Sequence, residues 1–286
     1  MAGGWSVFSE INSVRFYAVA STILIVLGSI FMYYSLASPQ SQDDALASDS
    51  APIPLGSSQW AGFVAMSNLL LRQPVVTSVS GSWTVPAVNL SDGDVYSAAW
   101  VGIGGYGENS LIQTGTLQGY RNGRVTYYAW YELLPNTAVR IQSMDIQPGD
   151  TMTASVSLAD ANQNLWLIEL SDITTGKNFS RTFRYSSSRL SAEWVVERPT
   201  VAGNITDLAN FGSVTFKNCT ATVENTAGTV SNFPGYQLIM YDDQTQLVEV
   251  SALNRDGSSF TVSYLPSQSS GSIRKAPLPP HGLLSE

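Results

Sequence analysis

The sequence predicts an all-β protein, built as an antiparallel sandwich of two β-sheets and preceded by one N-terminal transmembrane helix. Two observations predict the sheets. Short runs that alternate apolar and polar residues recur along the chain, and no stretch after residue 60 keeps a long apolar period of 3.6 residues. A third observation, an uncharged apolar run over residues 16–37, predicts the helix.

The apolar run over residues 16–37 is long enough to cross a membrane, since about 20 apolar residues in a helix span the hydrocarbon core. We therefore predict a signal-anchor there, with residues 1–15 as a short cytoplasmic N-terminus. Arg15 precedes the run and an acidic stretch follows it, which places the rest of the chain outside the cytoplasm. The small residues Ser35 and Ala37 also fit a cleavage site, and cleavage there predicts a secreted domain instead.

Composition divides the remainder of the chain into three parts. Residues 38–58 are polar and contain proline, as expected of a linker, and residues 268–286 have the same character, as expected of a flexible tail. Between them, residues 59–267 show no internal repeat at the spacing of solenoids or propellers. We expect this body to be one domain and the protein to be a monomer.

The body contains many short strand candidates separated by turn residues such as Asn122-Gly123 and Asp256-Gly257. The candidates are residues 75–85, 95–103, 110–114, 125–134, 151–158, 164–171, 192–197, 213–217, 236–241, 246–252 and 260–264. Because no helical pattern intervenes, they predict an antiparallel sandwich or a barrel.

The scarcity of histidine and cysteine excludes several kinds of catalytic site. The 286 residues include one histidine, His281 near the C-terminus, and one cysteine, Cys219. The body therefore lacks a Ser-His-Asp triad, a Cys-His pair, a histidine-bound zinc and an intrachain disulfide. The net charge of −8 and the absence of a basic cluster argue against nucleic acid as a partner. An enzyme of this composition must use carboxylates, amides, hydroxyls or lysines, and we expect no metal and no cofactor.

One candidate motif is the stretch Ser-Leu-Ile-Gln-Thr-Gly-Thr at residues 110–116. Its Gln-Thr-Gly resembles the Asp-Thr-Gly of aspartic peptidases, with Gln113 in the place of the aspartate. A glutamine does not titrate, and the chain has no second motif of this kind. The pair of carboxylates that shares one proton in aspartic peptidases is therefore excluded.

A second candidate is the stretch Ser-Ala-Glu-Trp-Val-Val-Glu at residues 191–197. Glu193 and Glu197 share one face of a strand and lie about 13 Å apart. Glycosidases need their two carboxyl groups about 5–9.5 Å apart, so a bulge would have to shorten this distance. A sandwich-fold glycoside hydrolase that uses Glu193 and Glu197 is therefore one alternative, and a non-catalytic surface module that binds glycans or proteins is another.

Taken in order, the motifs resemble a known family. They are Trp60-Ala-Gly, Val79-Ser-Gly-Ser-Trp-Thr-Val-Pro86, Ala99-Trp-Val-Gly-Ile103, Leu111-Ile-Gln-Thr-Gly115, Ala129-Trp-Tyr-Glu132, Ala192-Glu-Trp-Val-Val-Glu197 and Phe211-Gly-Ser-Val-Thr-Phe216. Their order resembles the eqolisins, which are glutamic peptidases, over roughly residues 58–265. The resemblance implies a sandwich of two large antiparallel sheets of the concanavalin or lectin-like kind.

The resemblance also implies an acid endopeptidase that cleaves proteins or peptides, with Gln113 and Glu193 as its catalytic residues. Trp100, Tyr131 and Glu132 are then expected to bind substrate. A carboxylate can take a proton from water and pass it to the leaving amine, and a side-chain amide can donate to the oxyanion. Where the fungal enzymes carry acidic residues this chain has Gly104 and Leu117, so its substrate contacts are expected to differ.

Overall fold

The computed structural model describes residues 52–71, 73–91, 93–270 and 283–284. The predicted transmembrane helix at residues 16–37 and the segment 1–15 lie outside these residues. Within the described part of the chain, no helix is both long enough and apolar enough to cross a membrane.

Nearly all of the described chain is β-strand or turn, and its one helical element is a 3₁₀ turn at Val230–Asn232. The strands are β1 (Ile53–Ser57), β2 (Trp60–Ala65), β3 (Val76–Thr84), β4 (Val95–Gly104), β5 (Leu111–Arg121), β6 (Arg124–Leu133), β7 (Val139–Arg140), β8 (Thr151–Asp160), β9 (Leu165–Asp172), β10 (Lys177–Arg184), β11 (Ala192–Glu197), β12 (Thr200–Val201), β13 (Asn204–Ile205), β14 (Asp207–Leu208), β15 (Ser213–Val223), β16 (Thr226–Thr229), β17 (Gly235–Asp242), β18 (Thr245–Val250), β19 (Phe260–Ser270) and β20 (Leu283–Leu284).

The first layer of the sandwich runs in the order β1, β17, β2, β11, β4, β5, β6, β7. Its neighbours are antiparallel except at the edge, where β1 lies parallel to β17. The short strand β14 lies parallel to the first residues of β4, beyond the point where β11 ends. The central strands β2, β11, β4 and β5 are almost entirely buried, because each of their faces is covered.

The second layer runs in the order β16, β15, β3, β8, β9, β10, and every pair in it is antiparallel. The two layers are continuous at one side, since β19 pairs with β15 and β18 pairs with both β19 and β17. A separate small sheet joins β13, β12 and β20.

An aromatic core fills the space between the layers. Phe260 stacks on Phe216, with ring centroids 5.1 Å apart, and meets Phe63 edge to face, with ring centroids 4.6 Å apart. Two indoles bond across the interface: Trp194 Nε1 donates to the Ser80 carbonyl at 2.7 Å, and Trp83 Nε1 donates to Thr116 Oγ1 at 3.0 Å. Because a buried indole N–H is costly to leave unpaired, these bonds favour one alignment of the two layers.

The predicted all-β class is confirmed, and each predicted strand overlaps an observed one. Nine strands of the described chain had no predicted counterpart, namely β1, β2, β7, β10, β12, β13, β14, β16 and β20. Six of these are only two to four residues long. Strand β2 is buried along its whole length, so it shows no alternation of apolar and polar residues. Ile53–Ser57 (β1), which the composition assigned to the linker, and Lys177–Arg184 (β10) are edge strands, and β10 is mostly exposed, so neither carries the alternation of a strand with one buried face. Strand β1 lies before residue 59, and β19 runs to Ser270.

Candidate active site

Three of the predicted site residues lie in one row across the first layer. Strand register pairs Glu193 of β11 with Gly102 of β4, Gly102 with Gln113 of β5, and Gln113 with Glu132 of β6. Residues directly opposite each other in neighbouring strands project to the same face of a sheet. Glu193, Gln113 and Glu132 therefore project together, and two strand spacings place the α-carbons of Glu193 and Gln113 about 10 Å apart.

Gly102 lies between the glutamate and the glutamine in the register and adds no side chain of its own to this crowded position. A Cβ at this position would lie 3.0 Å from Gln113 Cβ, 3.0 Å from Leu111 Cδ1 and 3.0 Å from Trp100 Cζ3. Contacts this short force neighbouring atoms to move. The glycine of the Trp-Val-Gly motif is thus needed for the shape of the site, which the sequence did not reveal because strand register is not visible in it.

An apolar cluster surrounds the row on the same face. Among its members are Trp60, Val64, Trp100, Leu111, Trp130 and Val195. Trp60 and Trp100 meet edge to face, with ring centroids 4.9 Å apart. The site residues are almost inaccessible to solvent, at 1% exposure for Gln113, 0% for Glu193 and 2% for Glu132. Polar groups in such surroundings interact strongly, because little water is present to screen them.

Gln113 and Glu132 are joined by a short hydrogen bond. Gln113 Nε2 donates to Glu132 Oε2 at 2.6 Å. The other polar atom of the amide, Gln113 Oε1, is buried and has no hydrogen-bond partner among the described residues. The amide is therefore anchored on one side only.

Burial, with a smaller contribution from the nearby carboxylate of Glu197, raises the pKa of Glu132 to about 8. Hydrogen bonds from the Gln113 side chain and the Ala138 backbone act in the opposite direction, since they stabilise the charged form. In acid solution Glu132 is therefore a neutral carboxylic acid.

Glu197 lies on the same face as Glu193 but does not approach it. Strand β11 pairs with β2 and β4 in continuous register over all six of its residues, so no bulge shortens the separation of about 13 Å. Trp100 Nε1 donates to Glu197 Oε2 at 2.8 Å. Burial raises the pKa of Glu197 to about 7, and hydrogen bonds from Trp100 and Trp60 oppose the rise. The geometry of a glycosidase carboxylate pair is not formed.

Two of the residues expected to bind substrate, Trp100 and Tyr131, are buried against other side chains of the protein. Trp100 lies on the site face, but it is fully buried and its indole N–H is engaged by Glu197, so it supports the floor of the site. Tyr131 lies on the opposite face, because it precedes Glu132 by one residue and side chains alternate along a strand. Its ring packs between Phe179 and Phe183, with centroids 5.4 Å and 4.8 Å away. Tyr131 therefore projects away from the face that carries Glu193, Gln113 and Glu132.

A hydrogen-bond network holds the ends of β5 and β11 together near the row. Tyr185 Oη accepts from the Leu111 backbone at 2.7 Å, and Ser110 Oγ accepts from the Ser188 backbone at 2.8 Å. Ser188 Oγ in turn donates to Glu108 Oε1. These bonds join the turn after β4 to the segment that leads into β11, and so they fix the strand that carries Gln113 against the strand that carries Glu193.

Within the described ranges, no three His, Cys, Asp or Glu side chains cluster closely enough to hold a metal ion. The row instead combines one glutamate, one glutamine and a second carboxyl group on the face of an all-β sandwich. Such a set can activate water and stabilise an oxyanion, which is the chemistry of a glutamic peptidase.

Comparisons with known proteins lead to the same class. The family model for the Peptidase A4 family matches residues 58–264, and the chain belongs to this family. The chain is 30% identical to Aspergillopepsin-2 from Aspergillus niger over 233 residues, which are 73% of this chain and 78% of that protein. It is 31% identical to Scytalidopepsin B from Scytalidium lignicola over 125 residues, or 42% of this chain and 46% of that one.

Solved structures resemble the fold closely. The crystal structure of aspergilloglutamic peptidase from Aspergillus niger aligns with a TM-score of 0.54 at 30% identity, covering 60% of this chain and 99% of that one. The crystal structure of scytalido-glutamic peptidase with a transition state analog inhibitor aligns with a TM-score of 0.62 at 23% identity. The alignment covers 73% of this chain and 98% of that one. The protein is an acid endopeptidase of the glutamic type.

The raised pKa values predict a stability that falls as the pH rises. In the unfolded chain Glu132 and Glu197 ionise near about 4.3, but in the folded protein they keep their protons to about 8 and about 7. Between these limits the folded state binds more protons, so the free energy of unfolding decreases with pH. We expect urea unfolding to show a loss of at least about 1 kcal/mol between pH 4.5 and pH 8.

The variant Glu197→Gln provides the control for this slope. Its amide oxygen still accepts from Trp100, but it cannot ionise, so the dependence of stability on pH should become shallower. A wild-type free energy of unfolding that is constant or rises over this pH range would contradict the assignment of two neutral buried carboxyl groups.

Proposed function

We propose that Glu193 is the general base and Gln113 the oxyanion donor in the hydrolysis of peptide bonds. The observation that carries this proposal is the row in which Glu193 and Gln113 face one another across Gly102. The scissile carbonyl would lie between the polar ends of these two side chains, with one residue on each side of it.

In the first step Glu193 takes a proton from water, and the water oxygen forms a bond to the carbonyl carbon of the substrate. The carbonyl oxygen becomes an oxyanion, and the side-chain NH₂ of Gln113 donates a hydrogen bond to it. Glu193 then gives its proton to the amide nitrogen as the C–N bond breaks. One product carries a new carboxyl group, the other a free amine, and Glu193 is again ionised.

The raised pKa values of Glu132 and Glu197 support an acid working range. Below about pH 7 both are predominantly neutral, so neither repels an ionised Glu193 or a developing oxyanion. As the pH rises through these values, two negative charges form within a poorly solvated site. Charge stabilisation of the oxyanion then weakens.

The proposed substrates are protein or peptide chains. Support comes from the row itself and from SCP-B of the eqolisin family, a structure with a TM-score of 0.57 that was solved in a complex with the tripeptide Ala-Ile-His. The acidic residues expected of the family at Gly104 and Leu117 are absent, and Leu117 belongs to the apolar cluster of the site face. We infer that this part of the site contacts substrate through apolar surface.

Substitution of the two proposed catalytic residues tests these roles. Gln113→Ala should lower kcat by about 10²-fold or more, because the oxyanion loses a donor. Glu193→Ala and Glu193→Gln should lower kcat by about 10²–10⁴-fold, because neither side chain can accept a proton. The measurement is cleavage of a quenched fluorescent peptide in acid, with circular dichroism as the check of folding.

The matched control is Glu169→Gln, which alters an exposed glutamate on the second layer and should cleave as the wild type does. Turnover at the wild-type level in Gln113→Ala or Glu193→Gln would refute the assignment. Activity in Glu193→Ala together with none in Glu197→Ala would move the base to Glu197.

We also propose that the catalytic domain works outside the cytoplasm, either held by residues 16–37 or released after cleavage, as a monomer. The apolar run and the charge asymmetry around it support this location. Protease added to intact spheroplasts should degrade an anchored domain, while a cytoplasmic marker stays intact, and a released domain should appear in the medium. Complete protection of the domain until lysis would reverse the proposed orientation.

A further inference from the structure

The amide of Gln113 is turned the wrong way for the role proposed above. Its nitrogen is held by Glu132 Oε2 at 2.6 Å, while its carbonyl oxygen is the buried atom without a partner. An oxyanion needs N–H donors, and a carbonyl oxygen facing it would be repulsive. Rotation of the amide by half a turn about the Cγ–Cδ bond would release both N–H groups without displacing any other group.

The protonation state of Glu132 decides which orientation the amide takes. An ionised carboxylate has no hydrogen to donate, so it can hold only the nitrogen of the amide. A neutral carboxylic acid has an O–H, which can donate to the amide oxygen. The ionised state of Glu132 therefore permits only one orientation of the Gln113 amide, and the neutral state permits the opposite orientation as well.

We propose that Glu132 is a positioning residue whose proton turns the Gln113 amide, so that its NH₂ faces the substrate only when Glu132 is neutral. The proposal rests on the role of Gln113 as oxyanion donor. It adds a second reason for acid activity. Protonation of Glu132 removes a negative charge from the site, and it also orients the amide that donates to the oxyanion.

The surroundings of Glu132 suit this role. Its side chain is 2% exposed, and it lies opposite Gln113 in the register of β5 and β6. The titratable groups that face or influence it are Glu197, Glu193, Tyr128 and Tyr185, and the nearest cation on the adjoining strand is Arg140, which lies 5.5 Å above the Tyr128 ring. Of these, Glu197 is the charge that raises the pKa of Glu132.

The direction of the pH effect follows from this arrangement. Burial keeps Glu132 neutral in acid, and the charge that Glu197 acquires near pH 7 contributes to a pKa of about 8 for Glu132. As the pH rises through this value, Glu132 ionises, captures the nitrogen of Gln113, and turns the carbonyl oxygen toward the substrate. The alkaline limb of kcat should therefore follow the ionisation of Glu132.

The test compares the full pH profiles of kcat and KM for the wild type, Glu132→Gln and Glu132→Ala. In Glu132→Gln a side-chain NH₂ can donate to Gln113 Oε1 at every pH, so the alkaline limb of kcat should move up by at least about one pH unit. Glu132→Ala leaves Gln113 unheld, and kcat should fall by about 10²-fold across the whole range with a smaller change in KM.

A third variant, Glu197→Gln, shows which of the two carboxyl groups sets the alkaline limb of kcat. Removal of its charge lowers the pKa of Glu132, so the alkaline limb should move to lower pH. Movement of that limb to higher pH would assign it to Glu197 itself and overturn the proposal.

Two results distinguish this proposal from the one on which it rests. If Gln113→Ala is inactive but folded Glu132→Gln keeps the wild-type alkaline limb, or is as inactive as Glu132→Ala, the positioning role of Glu132 is refuted and Gln113 stays the donor. If Gln113→Ala is as active as the wild type, the role of Gln113 is refuted and the role of Glu132 with it.

Discussion

The register of four neighbouring strands is the constraint on which the site depends. Because β11, β4, β5 and β6 pair without a shift near their shared end, Glu193, Gly102, Gln113 and Glu132 lie in a single row. A slip of one residue in any of these strands would turn its side chain to the opposite face. The inter-sheet bonds of Trp194 and Trp83, and the network around Tyr185, oppose such slips from both sides of the layer.

Burial of this row among aromatic and aliphatic side chains determines its chemistry. Desolvation disfavours charge, so Glu132 and Glu197 stay neutral well above the usual pKa of a carboxyl group. The acid activity of the enzyme and the expected loss of stability toward alkaline pH thus have a common cause.

The sequence predicted the elements whose signals are local. The apolar alternation of buried strands revealed most of both layers, and the motifs around Gln113 and Glu193 carried the family resemblance. The buried strand β2 and the edge strands β1 and β10 were among those missed, because a strand that is covered on both faces, exposed or proline-containing lacks that alternation.

What the sequence could not predict depends on contacts between distant segments. The need for Gly102, the bond from Gln113 to Glu132 and the partner of Glu197 all arise from pairings that are set only when the sheet forms. The direction of the Tyr131 side chain depends on its place in β6. Tyr131 adjoins Glu132 in a shared motif, but neighbouring residues of a strand face opposite sides, so its ring joins Phe179 and Phe183 between the layers.

A crystal structure of the domain at acid pH with a peptide analogue of the tetrahedral intermediate tests the central claim most directly. The account predicts that the tetrahedral centre lies between the Gln113 and Glu193 side chains, with one of its oxygens within about 3 Å of Gln113 Nε2 and the other within hydrogen-bond reach of the Glu193 carboxylate. Binding of the tetrahedral centre beside Glu197, or contact with Gln113 through its carbonyl oxygen alone, would contradict it.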